Sequence, residues 1–340
     1  MKKKNSSVPS LKIILEKNLK ISELYSKFKS KLNKSIKKKE KLVVAVSGGP
    51  DSLSLVALCK LYGIETKTDF FYVLIDHKLR KNSKKEANLV KKLLKKQNLF
   101  LHIIENTEKI EKNIQSKARE IRYKLLDNFC KKNKINTILT GHHSDDQIET
   151  FFIRLSRGSG VQGLSSMKEI TMINNTRLIR PLLEFKKNEL LMITKKVFGK
   201  VIFDPSNKNK KYLRTKIRSL KEKLENSGIH HDQIIRSINN LASTRDTLNE
   251  YITKTIKKCV KKKKQETLVN IKDLYKESEE IRLKILSYAI QDFSKSYYPP
   301  RSKKVLNVIS TFKKKLTPKV TLGGCFIEKS GNYLSIKKEV

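Results

Sequence analysis

The pattern with the clearest chemical potential is a short loop at residues 47–52, SGGPDS, called here the phosphate loop. Glycines let backbone N–H groups close around an anion, and a following helix adds the partial positive charge of its N-terminus. Asp51 could hold a magnesium ion beside the phosphates. The spacing is neither that of a Walker A motif nor GxGxxG. An ordinary strand-to-helix turn, capped by Asp51 or Ser52, is the alternative. The residues predicted to bind phosphate are Ser47, Gly48, Gly49, Pro50, Asp51 and Ser52.

A second group of reactive side chains lies at residues 140–150, TGHHSDDQIET, called here the histidine–acid motif. On a helix that begins near Ser144, Asp146 and Glu149 would share one face. Carboxylates beside a nucleotide can hold magnesium or receive a cationic amine. An amine must lose a proton before it attacks, so Asp146 and Glu149 are candidates for positioning it. His142 is a candidate base or transition-state donor.

Two other interpretations of this motif stay open at this point. Acidic residues suit the first turn of a helix, so the carboxylates could simply be solvated and stabilise a helix end. The HxxxD spacing could also form a metal site. A zinc protease is disfavoured because HExxH is absent and a phosphate loop is present.

The charge of the chain points to a polyanionic partner. Lys and Arg number 76 against 33 Asp and Glu, a net charge of +43. Such a positive field attracts RNA or DNA. Much of the excess is lysine, which also simply solvates helix faces. Arginine is expected where a planar, bidentate donor is needed. Eight of the 13 arginines fall in one interval: Arg119, Arg122, Arg154, Arg157, Arg177, Arg180, Arg214 and Arg218.

The elements that must position these residues alternate along the chain. Apolar, β-branched runs predict buried strands, and helical spacing separates them. This alternation predicts parallel βαβ units, and therefore an α/β fold with a doubly wound parallel sheet. Such sheets bind ligands at the carboxyl ends of their strands, where both motifs lie. The predicted strands are 42–46, 70–75, 100–104 and 137–139, and the predicted helices are 52–62, 83–97 and 114–132.

The length of 340 residues favours two domains. We expect a catalytic domain over residues 1–225, with a basic helical extension over about 1–40. A smaller domain over residues 226–340 should be mainly helical, including the stretch 229–292, and should end in short strands within 320–336. The sequence has no run of 18 apolar residues, so it predicts no membrane span. Four scattered cysteines without a CxxC pair argue against a disulfide framework and favour the cytoplasm.

The motifs carry a family resemblance. SGGPDS resembles the PP-loop of the ATP-pyrophosphatase superfamily. Five further strings, in the same order along the chain, resemble the tRNA(Ile)-lysidine synthase family, and the tail LGGC…YLSI is similar to the end of its short form. The five strings are AREIRY, GHHSDDQIETFFIRLSRGSGVQGLSSM, IRPLL, DPSN and LRTKIR.

The resemblance implies a specific reaction. ATP adenylates the C2 oxygen of the wobble cytidine in a CAU-anticodon tRNA(Ile), and pyrophosphate leaves. The ε-amine of free L-lysine then attacks C2, AMP leaves, and the lysidine product reads AUA. ATP and Mg2+ are the implied cofactors. The expected partners are tRNA, lysine and a second copy of the chain, with no membrane.

The resemblance also assigns roles to residues. Asp76 and His77 would seat the adenine or ribose, and residues 226–340 would bind tRNA. Longer family members carry an extra C-terminal domain, so tRNA discrimination is expected to rest on residues 229–340. The implied catalytic residues are Asp51, His142, Asp146, Glu149 and Arg214. The implied substrate and tRNA contacts are Arg119, Arg122, Arg157, Arg180 and Arg218.

Two alternative functions differ in their requirements. Another PP-loop tRNA enzyme, a thiolase, would typically need a CxxC pair or an iron–sulfur cluster. A non-catalytic basic RNA-binding protein would account for the charge but would leave both motifs without a use.

Overall fold

The computed structural model describes residues 18–80, 82–111, 114–199, 213–296, 299–313 and 319–339. The chain forms two compact units, Met1–Leu241 and Ala242–Val340. The domain boundary predicted at residue 226 rests on linker composition and stays a prediction.

The first unit alternates helices and strands. Its elements are α1 (Leu19–Ser35), β1 (Leu42–Val46), α2 (Pro50–Thr66), β2 (Phe70–Asp76), α3 (Ser83–Lys96), β3 (Leu101–Glu105), α4 (Ile114–Lys132), β4 (Thr137–Leu139), α5 (Ser144–Leu155), α6 (Val161–Leu164), β5 (Ile170–Ile173), β6 (Thr176–Ile179), α7 (Lys187–Phe198) and α8 (Leu213–Asn226). Helix α9 (His231–Cys259) begins in this unit and ends in the second.

A six-stranded sheet with the order β3-β2-β1-β4-β6-β5 organises the first unit. All neighbouring strands pair in parallel except β5, which is antiparallel to β6. Val44 of β1 is in register with Tyr72 on one side and Leu139 on the other. The predicted α/β fold is therefore confirmed, together with its four strands. The β5–β6 hairpin was not predicted, because its strands are only four residues long and β5 alternates between exposed and half-buried residues.

The core of this unit explains why helix α2 is apolar on nearly all sides. Leu53, Leu55 and Leu58 are fully buried. They belong to one cluster with Phe28 of α1 and Leu190 of α7. A helix enclosed in this way is rigidly held, so the phosphate loop at its N-terminus has a fixed position.

The second unit contains a five-stranded antiparallel sheet with the order β7-β8-β11-β10-β9. Ile285 and Ile290 of its longest complete helix pack in one core with Ile327, Leu334 and Ile336 of the sheet. Its elements are β7 (Val260–Lys262), β8 (Glu266–Asn270), α10 (Ile271–Lys276), α11 (Glu279–Ser294), α12 (Ser302–Lys313), β9 (Val320–Leu322), β10 (Cys325–Ser330) and β11 (Tyr333–Lys338).

The prediction that the stretch 229–292 is mostly helical is confirmed, because α9, α10 and α11 make up most of it. The short strands β7 and β8 within it were not predicted. The lysines of β7 are exposed at a sheet edge, where charged side chains are common, and so they gave no strand signal. The short strands predicted within 320–336 are present. Within the ranges that the structure describes, no helix has the length and apolarity needed to span a membrane.

The end of β6 away from the ligand-binding edge is held by an ion pair. Arg177 Nη2 lies 2.6 and 2.7 Å from the two carboxylate oxygens of Glu40. Although burial favours the neutral acid, hydrogen bonds from Arg177 and Thr137 lower the pKa of Glu40. The pair therefore stabilises the fold above about pH 4.3, the ordinary pKa of Glu, and this contribution is lost as the pH falls further.

We expect Glu40→Gln to lower the free energy of unfolding by about 2 kcal/mol at pH 7, because it leaves a half-buried guanidinium without its counter-charge. Urea unfolding followed by circular dichroism measures the loss. The matched control is Glu120→Gln, which breaks an exposed i,i+3 pair with Lys117 and should change stability by about 0.5 kcal/mol or less. Equal effects of the two substitutions would contradict the prediction.

Candidate active site

The two motifs meet where the strand order of the sheet reverses. The phosphate loop follows β1 and the histidine–acid motif follows β4, and these strands are neighbours. The chain continues from β1 to β2 on the other side of β1. Parallel sheets open a ligand crevice at such a point, outside the carboxyl ends of the strands.

The phosphate loop leaves an anion site open at the start of α2. Ser52 Oγ accepts a hydrogen bond from Ser47 N at 3.1 Å and donates to Gly49 O at 3.0 Å. No described side chain caps the helix, and Pro50 occupies its first turn. The alternative of a turn capped by Asp51 or Ser52 is therefore wrong. The remaining N–H groups of that turn are directed toward the crevice end of the helix, where they can bind phosphate.

Two glycines allow the close approach of backbone that this site requires. Gly48 has a φ of +86°, and a Cβ there would lie 2.6 Å from Val90 Cγ2. A Cβ on Gly141 would lie 2.8 Å from the carbonyl oxygen of Asp51. The loop after β4 thus packs directly against the phosphate loop. Thr194 Oγ1 of α7 donates to Pro50 O at 2.6 Å and holds the same turn from another side.

A buried histidine, His143, lies among three carboxylates. Its Nε2 is 3.6 Å from Asp51 Oδ2 and 3.6 Å from Asp146 Oδ2, and its Nδ1 is 3.8 Å from Asp145 Oδ2. Burial opposes its charge, but the nearby carboxylate of Asp51 and the negative charges of Asp146 and Asp145 raise the pKa of His143. His143 therefore connects the two loops, although the sequence pattern had indicated its neighbour His142 as the functional histidine.

The pKa of the neighbouring residue His142 is shifted in the opposite direction. Burial lowers the pKa of His142 to about 3. Asp146 acts against this shift, whereas the positive charges of Arg180, Arg119 and Arg214 add to it. His142 Nδ1 is 2.9 Å from Thr140 Oγ1. The site therefore contains a neutral imidazole with cations around it.

The carboxylates of the histidine–acid motif differ in their partners. Glu149 is buried and forms a two-point ion pair with Arg218, in which Nη2 donates to Oε2 at 3.1 Å and Nε donates to Oε1. Asp145 accepts hydrogen bonds from Lys221 Nζ at 2.7 Å and from Lys187 N at 3.1 Å. Asp146 accepts a short-range hydrogen bond from His143 N at 3.1 Å. Helix α8 is thus attached to α5 by two ion pairs.

The predicted arginines occupy different environments. Arg119 is exposed and lies 5.0 Å from the centre of the Tyr123 ring. Arg180 is buried and donates to Lys168 O at 2.7 Å. The remaining predicted arginines Arg122, Arg157 and Arg214 are exposed. The charges of Arg119, Arg180 and Arg214 act on His142, so these three are gathered at the site. The string DPSN at 204–207 lies outside the described residues.

The loop that carries Arg157 is anchored to α5 at both ends. Arg154 Nη1 donates to Gly163 O at 2.7 Å and to Ser166 O at 2.9 Å. The side-chain amide of Gln147 forms two hydrogen bonds with the backbone of Met167, at 2.9 and 2.7 Å. Arg154, absent from the predicted contacts, therefore has a structural role.

At the end of β2, His77 provides polar atoms that could contact a ligand. Both of its ring nitrogens are buried and have no hydrogen-bond partner among the described residues. Burial, together with the charge of Arg122, lowers the pKa of His77 to about 4, while Asp76 opposes the shift. Asp76 Oδ1 accepts a hydrogen bond from Lys78 N at 2.9 Å. A neutral imidazole here suits an uncharged ring system such as a nucleobase.

The donor set fits a magnesium ion shared with phosphates better than a metal held by protein alone. Asp51 Oδ1 is buried and has no hydrogen-bond partner in the described part of the chain. Magnesium is usually bound by one or two carboxylates together with substrate phosphates. In the described ranges no three His, Cys, Asp or Glu side chains form a group that could hold a metal. The HxxxD spacing therefore finds no support as a metal site.

We expect His142 to stay neutral between pH 5 and pH 8, because its pKa of about 3 lies well below that range. Nitrogen-15 NMR of the histidine rings in the metal-free protein measures this state. The variant His142→Gln identifies the signals. A His142 signal that moves from the neutral to the charged position within that range would contradict the prediction.

We expect Gly141→Ala to weaken ATP binding by about tenfold or more, because its Cβ must displace the Asp51 backbone and with it the first turn of α2. Calorimetric titration with a non-hydrolysable ATP analogue measures the affinity. Gly160→Ala is the control, since a Cβ at Gly160 meets no atom within 4 Å. Unchanged ATP affinity in a folded Gly141→Ala protein would show that the close packing of Gly141 against the Asp51 backbone is unimportant for ATP binding.

Comparisons with known proteins agree with this geometry. A family model described as a PP-loop domain matches residues 20–224. Among solved structures, the U34-tRNA thiolase NcsA of Methanococcus maripaludis has a TM-score of 0.56 and 18% identity, covering 65% of this chain and 78% of that one. At this level of identity the likeness shows a shared fold.

The sequence relatives are more specific. The tRNA(Ile)-lysidine synthase of Orientia tsutsugamushi (strain Boryong) is 36% identical over 310 residues, which cover 88% of this chain and 70% of that protein. The tRNA(Ile)-lysidine synthase of Wolbachia pipientis wMel is 35% identical over 322 residues, covering 93% and 75%. The chain has the PP-loop fold, the two motifs in adjacent loops and relatives matched over most of its length, and it belongs to the tRNA(Ile)-lysidine synthase family.

Proposed function

We propose that this protein ligates free L-lysine to C2 of the wobble cytidine in CAU-anticodon tRNA(Ile), with conversion of ATP to AMP and pyrophosphate. One observation carries the proposal furthest. Asp51 of the phosphate loop and Asp145 and Asp146 of the histidine–acid motif converge on His143 at 3.6 to 3.8 Å. A phosphate site and acids that can receive an amine are therefore parts of one site.

In the first step, the C2 oxygen of cytidine attacks the α-phosphorus of ATP, and the bond to the departing pyrophosphate breaks. The N–H groups at the start of α2 bind the phosphates of ATP. Arg214, on the first turn of α8, is proposed to stabilise the negative charge that develops. Asp51 would hold a magnesium ion, which when bound neutralises phosphate charge. Asp76 and His77 are proposed to contact the nucleoside.

In the second step, the lysine ε-amine loses a proton and attacks C2. A C–N bond forms, and the C–O bond to AMP breaks with its electron pair leaving on the phosphate oxygen. Asp146 and Glu149 are proposed to position the amine and Asp146 to take its proton. A pKa of about 3 makes His142 a poor proton acceptor at neutral pH. As a neutral imidazole it suits the alternative role of donor to the transition state.

Positive charge supports tRNA as the substrate. The net charge of +43 favours rapid, salt-sensitive capture of an RNA. The arginines Arg119, Arg122 and Arg157 remain proposed contacts to tRNA. One nitrogen of the Arg180 guanidinium, Nη1, donates to Lys168 O and Thr171 Oγ1, and a contact of Arg180 to tRNA stays a prediction. Residues 226–340 are proposed to bind the body of the tRNA.

A cytoplasmic location is proposed because the tRNA substrate and ATP are found there. All four cysteines are buried as free thiols, which suits a reducing compartment. A homodimer stays a prediction. The thiolase alternative has a structural relative in its favour, but that relative shows only the shared fold.

The proposed function predicts that purified protein incorporates labelled lysine into a CAU-anticodon tRNA(Ile) transcript in the presence of ATP. Pyrophosphate exchange should require the tRNA but not lysine, because adenylation precedes attack by the amine. Asp146→Asn should lower lysine incorporation by about 10²-fold or more, since the amine loses its proton acceptor.

Three results would contradict these statements separately. A protein that binds the tRNA without pyrophosphate exchange would be an RNA-binding protein. Exchange that leads to sulfur rather than lysine in the product would identify a thiolase. Full lysine incorporation by Asp146→Asn would leave the reaction intact but overturn the role of this residue. Asp232→Asn, which changes an exposed acid paired with Lys186, is the matched control.

A further inference from the structure

The most informative contact that the proposed reaction does not explain is the ion pair between Glu149 and Arg218. The Glu149 side chain is only 7% exposed, and both of its carboxylate oxygens accept hydrogen bonds from the Arg218 guanidinium. The two residues are 69 positions apart in the chain. A bidentate Arg–carboxylate pair in a partly buried site is among the stronger side-chain contacts.

This pair places an internal cation on a carboxylate that is proposed to receive the substrate amine. Each carboxylate oxygen of Glu149 already accepts one hydrogen bond from Arg218, and the side chain is only 7% exposed, so a lysine ammonium has little access to the remaining lone pairs. Glu149 therefore cannot bind a lysine ammonium with both oxygens while it is paired with Arg218. Either Glu149 never touches lysine, or Arg218 must leave first.

The second anionic partner proposed for Arg218 is the phosphate of the adenylated tRNA. The guanidinium fork fits a phosphate as well as a carboxylate. Arg214, proposed to act on the phosphate, lies four residues earlier on the same face of α8. Burial opposes the charge of Arg218, but Glu149 and then Asp146 and Asp51 raise its pKa, so Arg218 lies within the field of the phosphate loop.

We propose that Arg218 occupies the amine-binding carboxylate of Glu149 until the phosphate of the adenylated tRNA draws its guanidinium away, which opens the site to lysine. This inference rests on the proposed function and adds an order to it, in which lysine enters after adenylation. Arg218 and lysine therefore compete for Glu149. The apparent affinity for lysine equals the intrinsic affinity multiplied by the fraction of molecules in which Glu149 is open.

A second ion pair between the same two helices supplies the matched control. Lys221 Nζ of α8 lies 2.7 Å from Asp145 Oδ1 of α5. Lys221 is 57% exposed, against 32% for Arg218. Loss of Lys221 weakens the attachment of α8 without vacating Glu149. The comparison of Arg218→Gln with Lys221→Gln therefore separates occupation of the amine site from simple attachment of the helix.

The experiment measures lysine binding to the full-length protein by calorimetry, without tRNA or ATP. We expect Arg218→Gln to bind lysine about tenfold more tightly than the unsubstituted protein, as for a site that is open in about one molecule in ten. Lys221→Gln should bind lysine as the unsubstituted protein does. In the Arg218→Gln protein, millimolar guanidinium chloride should compete with lysine, because it can return to the vacated carboxylate.

Equal or weaker lysine binding by Arg218→Gln overturns the inference, and so does equal tightening in both variants. Arg218→Lys keeps the charge but not the fork, and it should give an intermediate affinity. If Arg218→Lys instead matches Arg218→Gln in every measurement, the bidentate geometry of Arg218 does not cause the weaker lysine binding, and the inference is wrong.

A second measurement tests the release by phosphate. In a pulse–chase experiment, tRNA is first adenylated and the lysine concentration is then varied. We expect similar half-saturating lysine concentrations for the unsubstituted and the Arg218→Gln proteins, because Arg218 has already left Glu149. A difference that persists at this stage overturns the release step. Failure of the unsubstituted protein to adenylate the tRNA would instead contradict the proposed function itself.

Discussion

The arrangement of the site depends on one constraint, the direct packing of the loop after β4 against the loop after β1. Gly141 lets the two backbones approach to a distance that no side chain would allow. That approach brings Asp51 from one loop and two acids from the other around the imidazole of His143. Three carboxylates so close together would repel each other, and a histidine among them reduces that cost. The phosphate site and the acid site are therefore one structural unit.

The same unit shifts the pKa values of two adjacent histidines in opposite directions. His143 faces the acids, which raise its pKa, whereas His142 faces arginines and a buried environment, which lower its pKa to about 3. The backbone direction after β4 decides which ring meets which charges. The acids around His143 and the arginines around the neutral ring of His142 divide the site into an acidic and a basic side. Adenylation needs positive charge near phosphate, and amine attack needs negative charge near the amine, so this division suits both steps.

The sequence was sufficient for the fold and for the location of the site. Alternation of apolar strands with helices places the residues after β1 and β4 at one edge of the sheet, so SGGPDS and HHSDDQIET had to be neighbours. The sequence did not reveal which individual side chains interact with each other. His142 and His143 are equivalent in any sequence pattern, and only the charges that surround each ring in the folded protein distinguish them. The pairing of Glu149 with Arg218 joins helices far apart in the chain, and local spacing carries no information about it. The lysines of β7 likewise concealed an edge strand.

Because all four cysteines are buried, the protein is suited to labelling with a dye at a single introduced cysteine. Cys59, Cys130, Cys259 and Cys325 are enclosed in the cores of the two units, and burial raises their thiol pKa values above the ordinary range. Thiol-reactive dyes attack thiolates, so the native protein should react slowly. A single cysteine introduced at the exposed position of Arg157 would accept a dye selectively. Because that loop is clamped to α5 by Arg154 and Gln147, the dye would report an approaching RNA rather than local motion.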